Sequence, residues 1–295
     1  FTPQVKLKIL VGFYMIATAV SRVYEVTLPD DTQALLDAIA RLITFGIPVL
    51  LESTPLECLN LRGYTPELLF WACLPFVLVL MMLMTSVVRL LVQHNELSVS
   101  AVFLLAVRGG ALQLLFLIYP ILTNKAFEAF PCHNFNDGSA FLRVDVSIEC
   151  GDSAHVRARA AAGTVMALYP VGLLVGFRHL LFKARHAITS GKPSPLSEAI
   201  SFLHKEYRPA LYWWELMEML RRLVLVGALV VFRQGSIEQL AFGALFALVY
   251  SAIQTIASPY RKLSDNFFAA ACSLVLSVLF LLCLLFKYAA LTQLP

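Results

Sequence analysis

Charge is scarce in this 295-residue chain: Asp, Glu, Lys and Arg make up 14% of it, against about 25% in soluble domains. That shortage excludes a water-solvated surface wrapped around one soluble core. Catalytic signatures are missing too. There is no P-loop, HExxH or GxSxG pattern. The histidines (His94, His133, His155, His179, His186 and His204) fall in loops or at the ends of apolar runs, with no facing pair to ligate haem. No enzymatic centre, cofactor or metal is expected, and the modest net charge of +4 gives no reason to expect nucleic acid. The usual basic, apolar and small-residue layout of a signal peptide is absent. The chain opens at Phe1 with no Met, so the expectation is a processed piece or an excerpt of something longer.

What is abundant is apolar length. The chain is 59% hydrophobic with a mean hydropathy of +0.76, and a helix crosses a hydrocarbon core of about 30 Å with about 20 apolar residues. Seven such stretches are expected: 7–24, 66–92, 98–122, 158–182, 212–232, 236–257 and 266–288. The expected fold is therefore an all-α integral membrane protein, residues 1–295 forming a single polytopic domain. Membrane lipids are its first partners. Residues 31–51 carry Asp37 and Arg41 one helical turn apart, which suits an amphipathic helix at the interface. A re-entrant hairpin broken at Gly46-Ile47-Pro48 is the alternative.

Lys/Arg bias sets orientation. The stretch 178–222 holds Arg178, Lys183, Arg185, Lys192, Lys205, Arg208, Arg221 and Arg222. It is placed in the cytosol, which puts the connector 183–211 and the N-terminus inside. Residues 25–67, 123–157, 233–238 and the C-terminus then fall outside. The inside collects 13 basic and 6 acidic residues, the outside 9 basic and 13 acidic, a balance of +7 against −4. The membrane itself, plasma membrane or endomembrane, stays open.

Cys132 and Cys150 share the outer loop 123–157, 18 positions apart, where an oxidising compartment lets them pair. Loop-closure arithmetic gives such a bridge about 3 kcal/mol. Cys73, Cys272 and Cys283 lie within spans and read as small apolar fillers. Cys58 lies outside without an evident partner.

Arg108 falls near the middle of the third span, followed by Gly109 and Gly110. A charge at that depth costs about 2.5–3.5 kcal/mol on insertion scales and must face protein or water. It either lines an ion or substrate path or is anchored by a neighbouring helix, with the glycines allowing close packing. A second candidate segment runs from Tyr212 to Arg222. Glu218 and Arg222 stand at i,i+4, Trp213 and Trp214 suit an interfacial aromatic belt, and Glu215 and Arg221 complete the charged set. The segment serves either as an ion-paired helix entry or as a gating and coupling element beside the amphipathic stretch 195–210. Glu238, Gln239, Tyr250 and Gln254 are expected to act as packing glue, and Asp265 and Asn266 as helix caps.

Several pieces of the chain resemble one family. They are VKLKILVGFYMI (5–16), PLECLNLRGY (55–64), AFEAFPCHNF…SAFLRVDVSIEC (126–150), YPVG (169–172), LSEAISFLHKEYRPALYWWELMEMLRRLVLVG (196–227) and SPYRKLSDNF (258–267). Together they resemble the C-terminal membrane region of large TRP-like transmembrane proteins of algae and other protists. That resemblance implies extracellular ephrin-receptor-like Cys-rich repeats and one more span before Phe1. A more distant similarity to fungal TRP-like proteins implies ion transport. The connections after the fifth and sixth expected spans are too short for a selectivity loop, so a filter would come from elsewhere, with 31–51 as a candidate. The expected function is TRP-like ion transport. The alternative is a non-conducting anchor or structural subunit for an extracellular or membrane assembly, with a second copy or an extracellular protein as partner.

Overall fold

The computed structural model describes residues 3–24, 63–92, 110–135, 138–231 and 235–292, with Val26, Ala34 and Ala38. Arg108, Cys58 and nearly all of 31–51 lie outside the described residues. Helices dominate. Among the described residues, four of them are long and apolar enough to cross a membrane: Tyr64–Val88, Ser153–Ser190, Ile237–Ala257 and Leu263–Ala289. These coincide with the expected second, fourth, sixth and seventh spans. Two compact units make up the chain, Leu61–Met219 and the combination of Phe1–Asn60 with Leu220–Pro295.

In the unit Leu61–Met219, α1 runs Tyr64–Val92 and α2 Ala111–Phe127, the C-terminal part of the expected third span. A three-stranded antiparallel sheet follows: β1 Cys132–Asn134, β2 Ala140–Leu142 and β3 Asp145–Glu149, in that order. Cys132 pairs with Leu142 and Phe141 with Glu149. The expected all-helical fold thus carries a small sheet inside its disulfide-closed loop. In β3 Val146 and Ile148 alternate with Asp145, Ser147 and Glu149, but the run is too short to stand out among helices. Leu142 and Ile148 are the sheet's buried side chains, and the bridge and the hairpins add to that burial.

Next come α3, Ser153–Met166, and α4, Gly172–Ser190. A π turn at Ala167–Val171 joins them and contains Pro170. Proline has no N–H to give the ladder and its ring crowds the preceding turn, and a widened turn absorbs both effects without ending the helix. Gly191, at φ 69, terminates α4 because glycine takes the left-handed region without a Cβ penalty. Two short helices, α5 Pro195–Ala199 and α6 Ser201–His204, then fold back. The first is opened by a reciprocal Ser194–Ser197 capping box. Phe177, Leu181, Ala184, Ile188, Ile200, Leu203, Tyr119 and Met219 form the buried core here.

In the other unit, α7 spans Pro3–Tyr24 and overlaps the expected first span. The expected fifth span is helical but irregular. Helix α8, Trp214–Arg222, reaches this unit from Leu220 onward. A π turn Leu223–Gly227 and a 3-10 turn Ala228–Val231 follow it. Then come α9, Ile237–Ala257, and α10, Leu263–Thr292, which pack along each other. Because α10 begins at Leu263, Asn266 is a first-turn residue rather than a cap. Its amide donates to the Tyr260 carbonyl and its carbonyl accepts from the Tyr260 N–H, both at 2.9 Å.

Each unit supports the expected alternation of helix direction. Val23 and Tyr24 at the end of α7, Gln239 at the start of α9 and Lys287 near the end of α10 meet through hydrogen bonds. In the other unit the start of α1, the end of α2 and the start of α3 meet likewise, through Tyr64, Lys125, Ala129 and His155.

Candidate functional site

At that meeting point in Leu61–Met219, Gly63 adopts φ +92, and a Cβ there would sit 2.9 Å from Asp145 Oδ2. Only glycine lets the start of α1 approach the sheet so closely. The Tyr64 N–H donates to Asp145 Oδ2 at 2.8 Å, and the Ser147 N–H and hydroxyl both donate to Oδ1. Partial burial opposes ionisation of Asp145, but these donors outweigh it and hold the carboxyl below its usual range. Tyr64 donates its hydroxyl to the Lys125 carbonyl. The Lys125 ammonium reaches Glu67 at 2.8 Å and Glu128 at 3.4 Å. Burial disfavours its charge, yet the Glu128 and Glu67 carboxylates raise its pKa overall.

Cys132 and Cys150 form the expected disulfide. Beside it, buried His155 accepts from the Gly151 N–H at Nδ1 and faces the Ala129 carbonyl with Nε2 at 3.1 Å. With Nδ1 accepting, Nε2 is the nitrogen placed to donate to the Ala129 carbonyl. The two sulfurs and His155 are the grouping with metal-ligand chemistry among the described residues. The sulfurs are bonded to each other and both ring nitrogens are engaged, so these atoms act as a structural staple in this state.

The candidate segment 212–222 is divided. In Leu61–Met219, Glu215 is 0% exposed and accepts from the Tyr207 hydroxyl at 2.8 Å. Trp214 is buried, so only Trp213, 38% exposed, suits an interfacial aromatic belt. Glu218 is buried as well.

Arg221 and Arg222 belong to the other unit. Arg221 is buried, its guanidinium lies 4.4 Å from the Tyr250 ring centre, and Nη1 donates to Ser273 Oγ at 3.2 Å. Ser273 in turn donates to Gln254 Oε1, and Ser277 donates to the Ser273 carbonyl one turn along. The result is a buried polar row: a cation, an aromatic face, an amide and two hydroxyls drawn from α8, α9 and α10. Charge at membrane depth is stable only in such company. The Arg222 guanidinium passes Gly12 of α7, where a Cβ would meet Nη2 at 2.8 Å.

Gln239 serves as glue, as its sequence position suggests. Its amide donates to the Val23 and Leu229 carbonyls and its oxygen accepts from the Gly235 N–H. Tyr250 and Gln254, given the same role from sequence, also bridge helices, Tyr250 under the Arg221 guanidinium and Gln254 by accepting from Ser273. Ser273 and Ser277 carried no sequence signal, since a serine in an apolar helix is ordinary. What marks them is Ser273 meeting an arginine of another helix, with Ser277 buried one turn along.

Comparison with family models, characterised proteins and solved structures yields no match. The class therefore rests on the chain itself: a helical integral membrane protein with, among the described residues, four membrane-length apolar helices and a disulfide-stapled sheet.

Proposed function

We propose that this chain is a TRP-like ion channel or transport protein whose path follows the buried polar row around Arg221. The observation that carries the reading is the company of Arg221: Tyr250, Gln254 and Ser273 within an otherwise apolar helix packing. An ionisable side chain held among membrane helices marks an ion or substrate path or a switch. In this reading seven helices cross the membrane, with the N-terminus and 183–211 in the cytosol and the stapled sheet outside. Arg221 sets the electrostatics of the path, and Glu215 and Glu218 on the same helix couple its position to the connector. The resemblance to TRP-like proteins of algae and other protists supports the same assignment.

One observation favours the second reading, a non-conducting anchor. The sheet is rigidly stapled and presents exposed Phe135, Val144 and Val146, a surface suited to holding an extracellular partner. Ion flux into liposomes containing the full-length protein separates the two. Transport predicts flux, measured per folded protein, that Arg221→Gln changes about tenfold or more. Absence of flux from well-folded protein favours the anchor.

A further inference from the structure

We infer that the basic end of α4 is a binding site for anionic glycerophospholipid headgroups. The inference rests on the helix Ser153–Ser190 crossing the membrane and is independent of ion transport.

That helix has 38 residues, about 57 Å at the α-helical rise and well beyond a hydrocarbon core of about 30 Å. Residues 160–177 form an uncharged stretch of 18 between Arg159 and Arg178, about 27 Å long. Arg178 therefore marks the hydrocarbon boundary, and the rest of α4 lies at headgroup depth and beyond.

One exposed face of α4 carries Val175, then Arg178 and His179, then Phe182 and Lys183, at the spacing that aligns residues on a helix. Val175 is 62% and Phe182 59% exposed. The opposite face, Phe177, Leu181, Ala184 and Ile188, is the one packed on α5 and α6. The outward face thus passes from apolar to basic where a bilayer passes from tails to phosphates. Arg185 stacks its guanidinium over the Phe182 ring at 3.9 Å, an arrangement that holds the cation beside an apolar anchor. Lys192, Lys205 and Arg208 are exposed nearby in sequence, against only Glu198 and Glu206. Basic clusters next to a membrane helix attract anionic headgroups by about 1 kcal/mol per residue.

Trp213 gives a local reporter. Its neighbours Tyr212 and Leu216 pack against the Phe177 and Leu181 core, and it is the exposed tryptophan of the three, since Trp71 and Trp214 are buried. The test uses the full chain carrying Trp71→Phe, reconstituted in phosphatidylcholine vesicles. These are doped with equal mole fractions of brominated phosphatidylserine or brominated phosphatidylcholine. The expected result is tryptophan quenching about threefold stronger with the anionic lipid, diminished by about 1 M salt. Combined Arg178→Gln, Lys183→Gln and Arg185→Gln should equalise the two lipids, and Trp213→Phe should remove the difference. Because the triple variant could misfold, the salt titration of the parent protein tests the same point without it. Equal quenching in the parent would leave the patch to an acidic protein and overturn the inference. Loss of the difference on adding inorganic phosphate would assign the site to free phosphate and overturn it equally.

Discussion

The two units are stabilised with different emphasis. Leu61–Met219 is fastened at its ends: the Cys132–Cys150 staple, the Asp145–Tyr64 and Lys125–Glu67 contacts, and the aromatic core under α5 and α6. The unit of α7, α9 and α10 is held along its helices. Gly243 admits Tyr24 and Phe280, whose rings meet edge to face at 5.1 Å, and Gln239 and Arg221 bridge helices with hydrogen bonds. Lipid tails are as apolar as leucine, so burial alone does not drive helices together in a bilayer. One unit meets that problem with small residues and polar bridges; the other adds to its own bridges, such as the Tyr169 hydroxyl on the Ala72 carbonyl, structure lying outside the apolar stretches.

The sharpest way to break the contrast is to cut the staple. Cys132→Ser with Cys150→Ser should lower stability by about 3 kcal/mol. Hydrogen exchange should rise through 132–155 while α9 and α10 stay protected, and a loss spread evenly over both would erase the distinction. Gly243→Val should cost about 2 kcal/mol in the other unit. A Cβ at that position would lie 2.8 Å from the Tyr24 hydroxyl and 2.9 Å from the Phe280 ring, and rings cannot fold aside. Thermal melting in detergent measures it. Gln239→Leu removes two donated bonds and one accepted bond and should cost about 1–2 kcal/mol, at about 0.6 kcal/mol per membrane hydrogen bond plus orphaned carbonyls.

The smallest effect expected is with pH. The Asp145 carboxyl is held below its ordinary value, so its stabilisation is present above pH 3.8 and is lost as pH falls through the lowered folded value. The Lys125 ammonium is held above 10.5, so its stabilisation is present below that pH and fades above it. Melting of the sheet followed from acid to alkali should show both edges. Asp145→Asn should flatten the acid edge and cost about 1 kcal/mol after allowance for solvent screening.

Much of this was legible in sequence for a physical reason. Membrane-length apolar runs and a cysteine pair in one loop are local signals, and local signals survive in one dimension. Helix contacts are not local. Within uniformly apolar helices such as α9 and α10, no periodicity shows which face turns inward, so Gly243 and Ser273 look like any glycine or serine. The expected span 158–182 reads as uninterrupted in sequence; Pro170 lies in the π turn Ala167–Val171, while the π turn Leu223–Gly227 holds no proline. Trp213 and Trp214 are adjacent and chemically identical, yet only tertiary packing sends one outward and buries the other. Arg108 and most of 31–51, the most suggestive pathway candidates in the sequence, lie outside the described residues.

Water access to the polar row is the most direct test of transport through it. Ser273 and Ser277 are replaced singly by Cys in full-length protein that keeps the Cys132–Cys150 bridge and lacks the other cysteines, and a small charged thiol reagent is applied to membranes. Modification of both positions, with flux altered by the attached group, is the result predicted. Inert thiols at both, in protein that still folds, would mean a dry packed bundle and contradict it.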